Sequence, residues 1–570
     1  MQQEDVPDME IADSAPFVLC EAHEYIAGNA CETCPPGSVL DETLLQHPDE
    51  SPCVSTPCTV NEHVIDHTCV PCPTGMARNE GDDPVGQDTA CTPVLCNEDE
   101  FVSSGSCASC PEGTTNASGD ALIDGDTRCE DSCTAFFDTY CKDVRSSHLY
   151  PRQPHIGHDY GSVLALDGNI LAIAAPHHTG RSEDDDLPLW AGLVYIYEKN
   201  SDGDWDFQTT LQSPAPGERD RFGASLALKG NLLAIGVPGE DSSATGMNGD
   251  PYNDDKLDSG AVYLFKRKEG VWFQEVYIKP EIASTRAAFG TSLALRDNML
   301  IVGAPSATID EPLVPSYTGA VYVFKGEGRF WSEIDVVTSN TPDSGSSFGR
   351  SLALYEDTLI VGSPYEDSNP GGDESNNIER SGAAYVFFEY GKEWALQSRV
   401  LAPTPQTKSL FGWSVAKNKD NVFIGAPYQS MNIQNESGMN QTAEEAGSVY
   451  IYSQGAGGKW GYQDTLYGEN TEAFDYFGYA LSTNEDFLAV GAPFEDSGSI
   501  LVSSIDNNDA QNSGAVYIFG KNNINSWEQA LFLKADDIFE NHQFGHALKI
   551  DSESIITGSL NSEKTYIQSK

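Results

Sequence analysis

Three segments of the chain contain the same acidic tripeptide, which points to metal chemistry. Glu-Asp-Ser occupies residues 240–242, 366–368 and 495–497, each time one residue after a Gly-x-Pro turn. Hard cations such as calcium bind six to eight oxygen atoms, many of them from carboxylates. We therefore expect calcium to order these segments. The candidate ligands are Glu240, Asp241, Asp250, Asp254, Glu366, Asp367, Asp373, Glu495, Asp496, Asp506 and Asp509.

A second interpretation of the same residues needs no metal, because Asp and Ser side chains also form local turns with their own backbone on a solvated surface. Catalysis has less support. The chain contains no Gly-x-Ser-x-Gly, His-Glu-x-x-His or phosphate-binding loop motif. We therefore predict no enzyme, with a polysaccharide lyase or glycosidase that uses carboxylates at a central axis as the less favoured alternative.

All 14 cysteines lie between residues 20 and 141. Twelve of them follow the spacing C-x10-C-x2-C-x18-C three times, and an even number in a short segment predicts disulfides and an oxidising compartment rather than zinc. Spacing does not fix the connectivity, but we favour pairing between neighbours, as in Cys20–Cys31 and Cys34–Cys53. The cysteines are Cys20, Cys31, Cys34, Cys53, Cys58, Cys69, Cys72, Cys91, Cys96, Cys107, Cys110, Cys129, Cys133 and Cys141.

A longer repeat fills the rest of the chain and must position the acidic segments. An aromatic-Gly pair occurs seven times, followed in six units by a Gly-x-Pro-like turn and a Trp-containing strand. Each unit is interpreted as four short strands, and seven such units predict an all-β, seven-bladed β-propeller with four-stranded blades. The aromatic residues are Tyr160, Phe222, Phe289, Phe348, Phe411, Phe477 and Phe544.

The last unit ends before its Trp strand, so we expect the segment around residues 146–154 to supply the missing outer strand and close the ring. Large insertions fall between the Gly-x-Pro turn and the following Gly-x-x-Tyr strand. We call these insertions the variable loops and the propeller face that carries them the variable-loop face. Variable loops on a rigid scaffold commonly carry recognition.

The repeats resemble FG-GAP repeats, the building block of integrin α-subunit propellers, over residues 160–570. The resemblance implies ligand binding on the variable-loop face. Integrin repeats that bind calcium carry an acidic loop between the first two strands, but here that turn is minimal, as at residues 229–231 and 418–420. The integrin calcium site therefore does not carry over. The cysteine-rich modules, over residues 20–132, resemble those of tumour-necrosis-factor receptors and ephrin receptors.

These features give a domain organisation in which small disulfide-rich modules precede the propeller. Residues 1–19 are an acidic leader that we expect to be mobile, and the propeller closed by its N-terminal strand spans residues 146–570. The cysteine-rich modules between them occupy residues 20–57, 58–95 and 96–145, the last with the final cysteine pair.

The formal net charge of −55 excludes nucleic acid as a partner, and no apolar run is long enough for direct membrane insertion. We expect a secreted or cell-surface binding or adhesion protein that is calcium-dependent and has an extracellular protein or glycan as partner. A structural subunit of an extracellular fibre or matrix, bound to copies of itself in a filament, is the alternative. Asn116, Asn435 and Asn440 lie in glycosylation sequons.

Overall fold

The structure, a computed structural model, describes short stretches between residues 24 and 131 and most of the chain from residue 145. In the first part it describes residues 24–27, 30–34, 36, 38–40, 53–73, 75–78, 81–97, 100–103, 106–109, 114–115, 122 and 130–131. From residue 145 it leaves out 152–156, 181–186, 309–316, 342, 369–377, 435–439, 456, 499–507, 523–525, 563 and 570.

The chain divides into two compact units, Met1–Ser132 and Cys133–Lys570. The expected leader lies outside the described residues, and the boundaries between cysteine-rich modules stay predictions. No helix that could cross a membrane occurs in the described part of the chain.

In its described residues the N-terminal unit contains short antiparallel strand pairs, two for each cysteine-rich module. Modules of this size bury too little apolar surface to be stable on their own, so disulfides must stabilise them. Paired in sequence order, the strands are β1 (Glu24–Ala27), β2 (Ala30–Thr33), β3 (Ser38–Leu40), β4 (Cys53–Ser55), β5 (Glu62–Ile65), β6 (Thr68–Pro71), β7 (Met76–Ala77), β8 (Thr92–Pro93), β9 (Glu100–Ser103), β10 (Ser106–Ser109), β11 (Thr114–Thr115) and β12 (Glu130–Asp131).

Four disulfides are described in this unit, and all four join neighbouring cysteines as expected. They are Cys34–Cys53, Cys58–Cys69, Cys72–Cys91 and Cys96–Cys107. The side chains of the remaining cysteines lie outside the described residues, as do Asn116, Asn435 and the side chain of Asn440.

The second unit is the predicted seven-bladed propeller, in which each blade is an antiparallel four-stranded sheet. Blades 1–3 contain β14 (Val163–Asp167), β15 (Ile170–Ala175), β16 (Leu193–Lys199), β17 (Trp205–Leu211), β18 (Ser225–Lys229), β19 (Leu232–Val237), β20 (Ala261–Lys268), β21 (Val271–Ile278), β22 (Ser292–Arg296), β23 (Met299–Ala304), β24 (Ala320–Glu327) and β25 (Phe330–Val337).

Blades 4–6 contain β26 (Ser351–Tyr355), β27 (Thr358–Ser363), β28 (Ala383–Tyr390), β29 (Glu393–Val400), β30 (Ser414–Lys417), β31 (Asn421–Ala426), β34 (Ser448–Gln454), β35 (Trp460–Leu466), β36 (Ala480–Thr483), β37 (Phe487–Ala492), β38 (Ala515–Lys521) and β39 (Trp527–Leu533). The variable loop of blade 5 forms an extra hairpin of β32 (Met431–Gln434) and β33 (Asn440–Ala443).

Blade 7 confirms the expected closure. Its strands are β40 (Ala547–Ile550), β41 (Ser554–Gly558), β42 (Thr565–Ser569) and the earlier β13 (Arg145–Leu149). β13 pairs antiparallel with β42, so the beginning of this unit supplies the outer strand of the last blade.

The first strands of consecutive blades contact one another around the ring, and β40 contacts β14 to complete it. At six of these seven junctions a glycine of the second strand meets the glycine of the next blade's aromatic-Gly pair, and between blades 1 and 2 Ala174 takes the place of the first glycine. A Cβ on Gly236 would clash with the carbonyl of Gly290 in the next blade, and a Cβ on Gly558 would clash with Gly161 in the same way. Ser225 Oγ also donates to the Gly290 carbonyl at 2.6 Å.

The core lies between adjacent blades. Trp272 and Trp331, on the fourth strands of blades 2 and 3, are at least nine-tenths buried among apolar side chains of their own and the preceding blade. The repeated Trp is therefore a packing residue, as expected from the sequence.

Candidate binding surface on the variable-loop face

The glutamate of the first Glu-Asp-Ser segment lies in the interior of blade 2. Glu240 is 2% exposed and forms an ion pair with Lys279 Nζ at 2.5 Å. Tyr277 Oη donates a second hydrogen bond to this carboxylate at 2.6 Å. Lys279 also donates to Ser259 Oγ, so both charges of the pair are surrounded by polar partners.

The same arrangement recurs in blades 4 and 6. Glu366 binds Arg399 at 2.6 Å, and Glu495 binds Lys534 at 2.5 Å. Burial lowers the pKa of Lys534, although the adjacent carboxylate acts in the opposite direction. The glutamates of all three segments are therefore neutralised by cations of the chain itself.

The aspartate of each Glu-Asp-Ser segment forms a hydrogen bond to the C-terminal end of its own variable loop. Its carboxylate accepts a backbone N–H at 2.6–2.7 Å from a residue whose φ lies near +50°, where an L residue needs stabilisation. The pairs are Asp241 with Asp258, Asp367 with Arg380, and Asp496 with Asn512.

The other predicted ligands are dispersed. Asp250, Asp254 and Asp509 are exposed, and Asp373 and Asp506 lie outside the described residues. Within the described part of the chain, no three predicted carboxylates bring ligand atoms within 4.8 Å of one another. The candidate set is therefore not gathered around one point.

Two buried acids that the sequence analysis did not identify lie beside these segments. Asp220 is 4% exposed and accepts the backbone N–H of Gly217 at 2.6 Å. Burial, together with the charges of Glu240, Asp241 and Asp254, raises its pKa to about 7. Asp475 is the equivalent residue in blade 6, and burial raises its pKa strongly as well.

A different set of side chains forms the most distinctive feature of the variable-loop face. The residue after each aromatic-Gly pair immediately precedes or begins the first strand of its blade. These residues are small in blades 1–3 and large in blades 4–7, and none is a carboxylate: Ser162, Ala224, Thr291, Arg350, Trp413, Tyr479 and His546.

Two aromatic residues at the start of variable loops, Tyr428 and Phe494, and one before an aromatic-Gly pair, Tyr476, extend this row. We call Trp413, Tyr428, Tyr476, Tyr479 and Phe494 the aromatic arc, and all five are partly exposed. Their ring centroids form a continuous chain across blades 5 and 6. The separations are 6.2 Å for Trp413–Tyr428, 4.7 Å for Tyr428–Tyr476, 4.9 Å for Tyr476–Phe494 and 5.5 Å for Trp413–Tyr479.

Polar groups border the aromatic arc. The Arg350 guanidinium lies 4.8 Å from the centroid of Trp413, and His546 lies 5.1 Å from Tyr479 at the other end. Tyr476 Oη donates to Glu445 at 2.8 Å, and burial together with this hydrogen bond raises the pKa of the phenol. The arc therefore presents rigid aromatic rings with fixed polar groups, a combination typical of recognition surfaces.

The aromatic arc could have been predicted from the sequence, but not from any single motif. It appears only when the position after each aromatic-Gly pair is compared across the seven repeats, because the change from small to large residues is then visible. The acidic segments are more conspicuous, and their carboxylates are largely occupied by internal contacts.

Comparison with known proteins agrees with the repeat structure. The sequence model of the FG-GAP repeat family matches residues 272–324, 331–387 and 460–519. Mouse (Mus musculus) integrin alpha-2 is 23% identical over 209 residues, which cover 35% of this chain and 16% of the integrin. Bovine (Bos taurus) integrin alpha-2 is 26% identical over 175 residues, covering 30% of this chain and 14% of the integrin.

The fold and the repeats define the class: the protein is a seven-bladed β-propeller with FG-GAP repeats in three matched segments, preceded in the chain by disulfide-linked cysteine-rich modules. The chain is similar to part of integrin alpha-2, and the matched region spans less than a fifth of the length of these integrins.

Proposed function

We propose that this protein is a non-enzymatic, extracellular or cell-surface adhesion protein that binds a protein partner through the aromatic arc. The disulfides support an oxidising compartment. The similarity to integrin alpha-2 supports an adhesion role over an enzymatic one.

The arc itself is the observation that carries this proposal. Five partly exposed rings lie in contact across blades 5 and 6, and aromatic side chains supply most of the binding energy at many protein interfaces. The chain carries a net charge of −55, so long-range attraction favours a partner that presents Lys or Arg. Such cations also bind well over aromatic faces.

Selection of displayed random peptides on the full chain tests the proposal. We expect the selected peptides to contain Lys or Arg, and we expect Trp413→Ala and Tyr479→Ala to weaken their binding about tenfold or more. Phe330→Ala and Tyr390→Ala are matched controls, because these residues are 88% and 80% exposed on outer hairpins. Equal affinity for the arc variants and the wild type would contradict the proposal.

Calcium is the cofactor that we propose for the variable loops, and blade 2 supplies the support. The pKa of Asp241 is raised by burial and by the charges of Asp258 and Asp254, so these carboxylates repel one another in the absence of a cation. A divalent ion held by Asp241 and Asp254 would relieve this repulsion, whereas Glu240 is already neutralised by Lys279.

Thermal unfolding with calcium or a chelator tests this cofactor. We expect calcium to raise the melting temperature of the wild type and to have a smaller effect on the double variant Asp241→Asn, Asp254→Asn. Magnesium at the same concentration controls for ionic strength. An unchanged melting temperature in calcium would exclude the cofactor.

A further inference from the structure

Blade 5 contains a pocket where blades 2, 4 and 6 contain their buried ion pairs. Gln429 takes the sequence position of Glu240, Glu366 and Glu495 after the Gly-x-Pro turn. Tyr467, which is 53% exposed, takes the position of Lys279 and Lys534 after the fourth strand. Blade 5 has therefore lost the acid and the base together, which avoids leaving one buried charge unpaired.

A second substitution opens the space. Strand pairing places Thr465 opposite Tyr450, where the equivalent residues opposite Tyr263, Tyr385 and Tyr517 are Tyr277, Arg399 and Phe532. Blade 5 thus has a small side chain at the position where blades 2, 4 and 6 have a bulky one. The resulting cavity has a volume of about 310 Å³, and the residues that line it include Gln406, Gln429, Ser448, Tyr450, Tyr462 and Thr465.

The cavity borders a buried polar atom that the described residues leave without a hydrogen-bond partner. Gln429 is 4% exposed, and its Oε1 has no hydrogen-bond partner among the described residues. An unpaired buried acceptor destabilises the folded protein, because it has given up its hydrogen bond to water without replacing it. In blades 2, 4 and 6 the hydroxyl corresponding to Tyr450 Oη is bonded internally, for example Tyr517 Oη to Asn470 at 2.8 Å.

The chemistry of the lining selects the ligand. No charged side chain occurs among the described residues that line the cavity, and its polar groups are amides and hydroxyls, which both donate and accept. Tyr462 is 45% exposed at the cavity, and it offers an aromatic face while its hydroxyl bonds Thr465 at 2.9 Å. A ligand with many hydroxyl groups, an apolar ring face and no charge matches this set.

We propose that the blade 5 pocket binds a neutral sugar residue, either free or at the end of a glycan. This site is separate from the aromatic arc, since none of the five arc residues lines it. On binding, the Gln429 amide turns toward the cavity, so that the ligand hydroxyls hydrogen-bond to Gln429 Oε1 and Tyr450 Oη, and the ring packs on Tyr462.

Saturation-transfer NMR on the deglycosylated full chain tests the pocket with glucose, galactose, mannose and N-acetylglucosamine as probes. Glucuronic acid and glucosamine are the charged controls. We expect transfer to at least one neutral sugar. Gln429→Leu and Thr465→Phe should each reduce its affinity tenfold or more, since one removes the acceptor and the other fills the cavity.

Gln463→Ala is the matched control, because Gln463 is exposed on the same strand and does not line the pocket. Gln429→Leu keeps the test decisive if Thr465→Phe does not fold. An oligosaccharide that ends in the preferred sugar distinguishes a glycan terminus from a free monosaccharide. Absence of transfer to every neutral sugar, or equal transfer in wild type and Gln429→Leu, would overturn the proposal. Trp413→Ala should leave sugar binding unchanged, so the two proposals fail independently.

Discussion

The buried pair of Glu240 and Lys279 joins two segments of blade 2 that are 39 residues apart in the chain. It connects the start of the variable loop to the end of the outer strand. Three more polar groups, Tyr277 Oη, Ser259 Oγ and the Ser242 carbonyl, also bond to the pair. A buried pair of this kind is sensitive to loss of one partner, because the other charge is then left in a medium that solvates it poorly.

We predict that Lys279→Met lowers the free energy of unfolding by about 3–5 kcal/mol, measured by urea denaturation. The double variant Glu240→Gln, Lys279→Met should recover most of this loss, because neither charge remains. Lys229→Met is the control, since the Lys229–Asp167 pair is largely exposed and contributes about 1 kcal/mol or less. A loss no larger than that of the control would contradict the assigned role.

At the scale of elements, the seam between blades 7 and 1 has a distinctive composition. The seven histidines of the propeller segment all lie within residues 148–178 or 542–546, and none occurs between. His542 is fully buried, its Nε2 lies 2.7 Å from Tyr566 Oη, and its ring stacks on Phe539. The blade that closes the ring thus holds a buried titratable group.

Acid should weaken this seam. Burial lowers the pKa of His542 to about 4, against 6.5 for the exposed side chain. The unfolded chain therefore binds a proton between pH 6.5 and 4 that the folded chain does not. Stability falls as the pH is lowered through this range, by about 1.4 kcal/mol per pH unit.

Unfolding free energies measured across pH 4–6.5 check this prediction. His542→Gln should give a shallower dependence than the wild type, while the two proteins should differ little in slope above pH 7. An identical slope in both proteins would show that His542 does not contribute to the acid response.

The elements were largely predictable from the sequence, and the physical reason is repetition. Seven copies of one spacing define the blades, and a seventh copy without its last strand requires closure by β13. Side-chain contacts between residues that are distant in the sequence could not be predicted from the repeat spacing. Nothing in the Glu-Asp-Ser segment distinguishes a metal ligand from the partner of a cation, because Lys279 approaches Glu240 only after β19, β20 and β21 pair.

At the scale of the whole propeller, the seven blades are alike in backbone and unequal in side chains. Blades 2, 4 and 6 hold buried ion pairs, and blade 5 replaces its pair with an uncharged pocket. The residues that follow the aromatic-Gly pairs are small in blades 1–3 and large in blades 4–7. A symmetric scaffold therefore carries an asymmetric face, and the aromatic arc lies on one side of it.

Hydrogen–deuterium exchange of the full chain, with and without a selected basic peptide, tests most directly whether this side of the face binds the partner. We predict slower exchange at residues 411–414, 428–431, 476–480 and 494–497, which surround the aromatic arc. Protection centred instead on the opposite turns at residues 229–231, 296–298 and 418–420 would contradict the proposed binding surface.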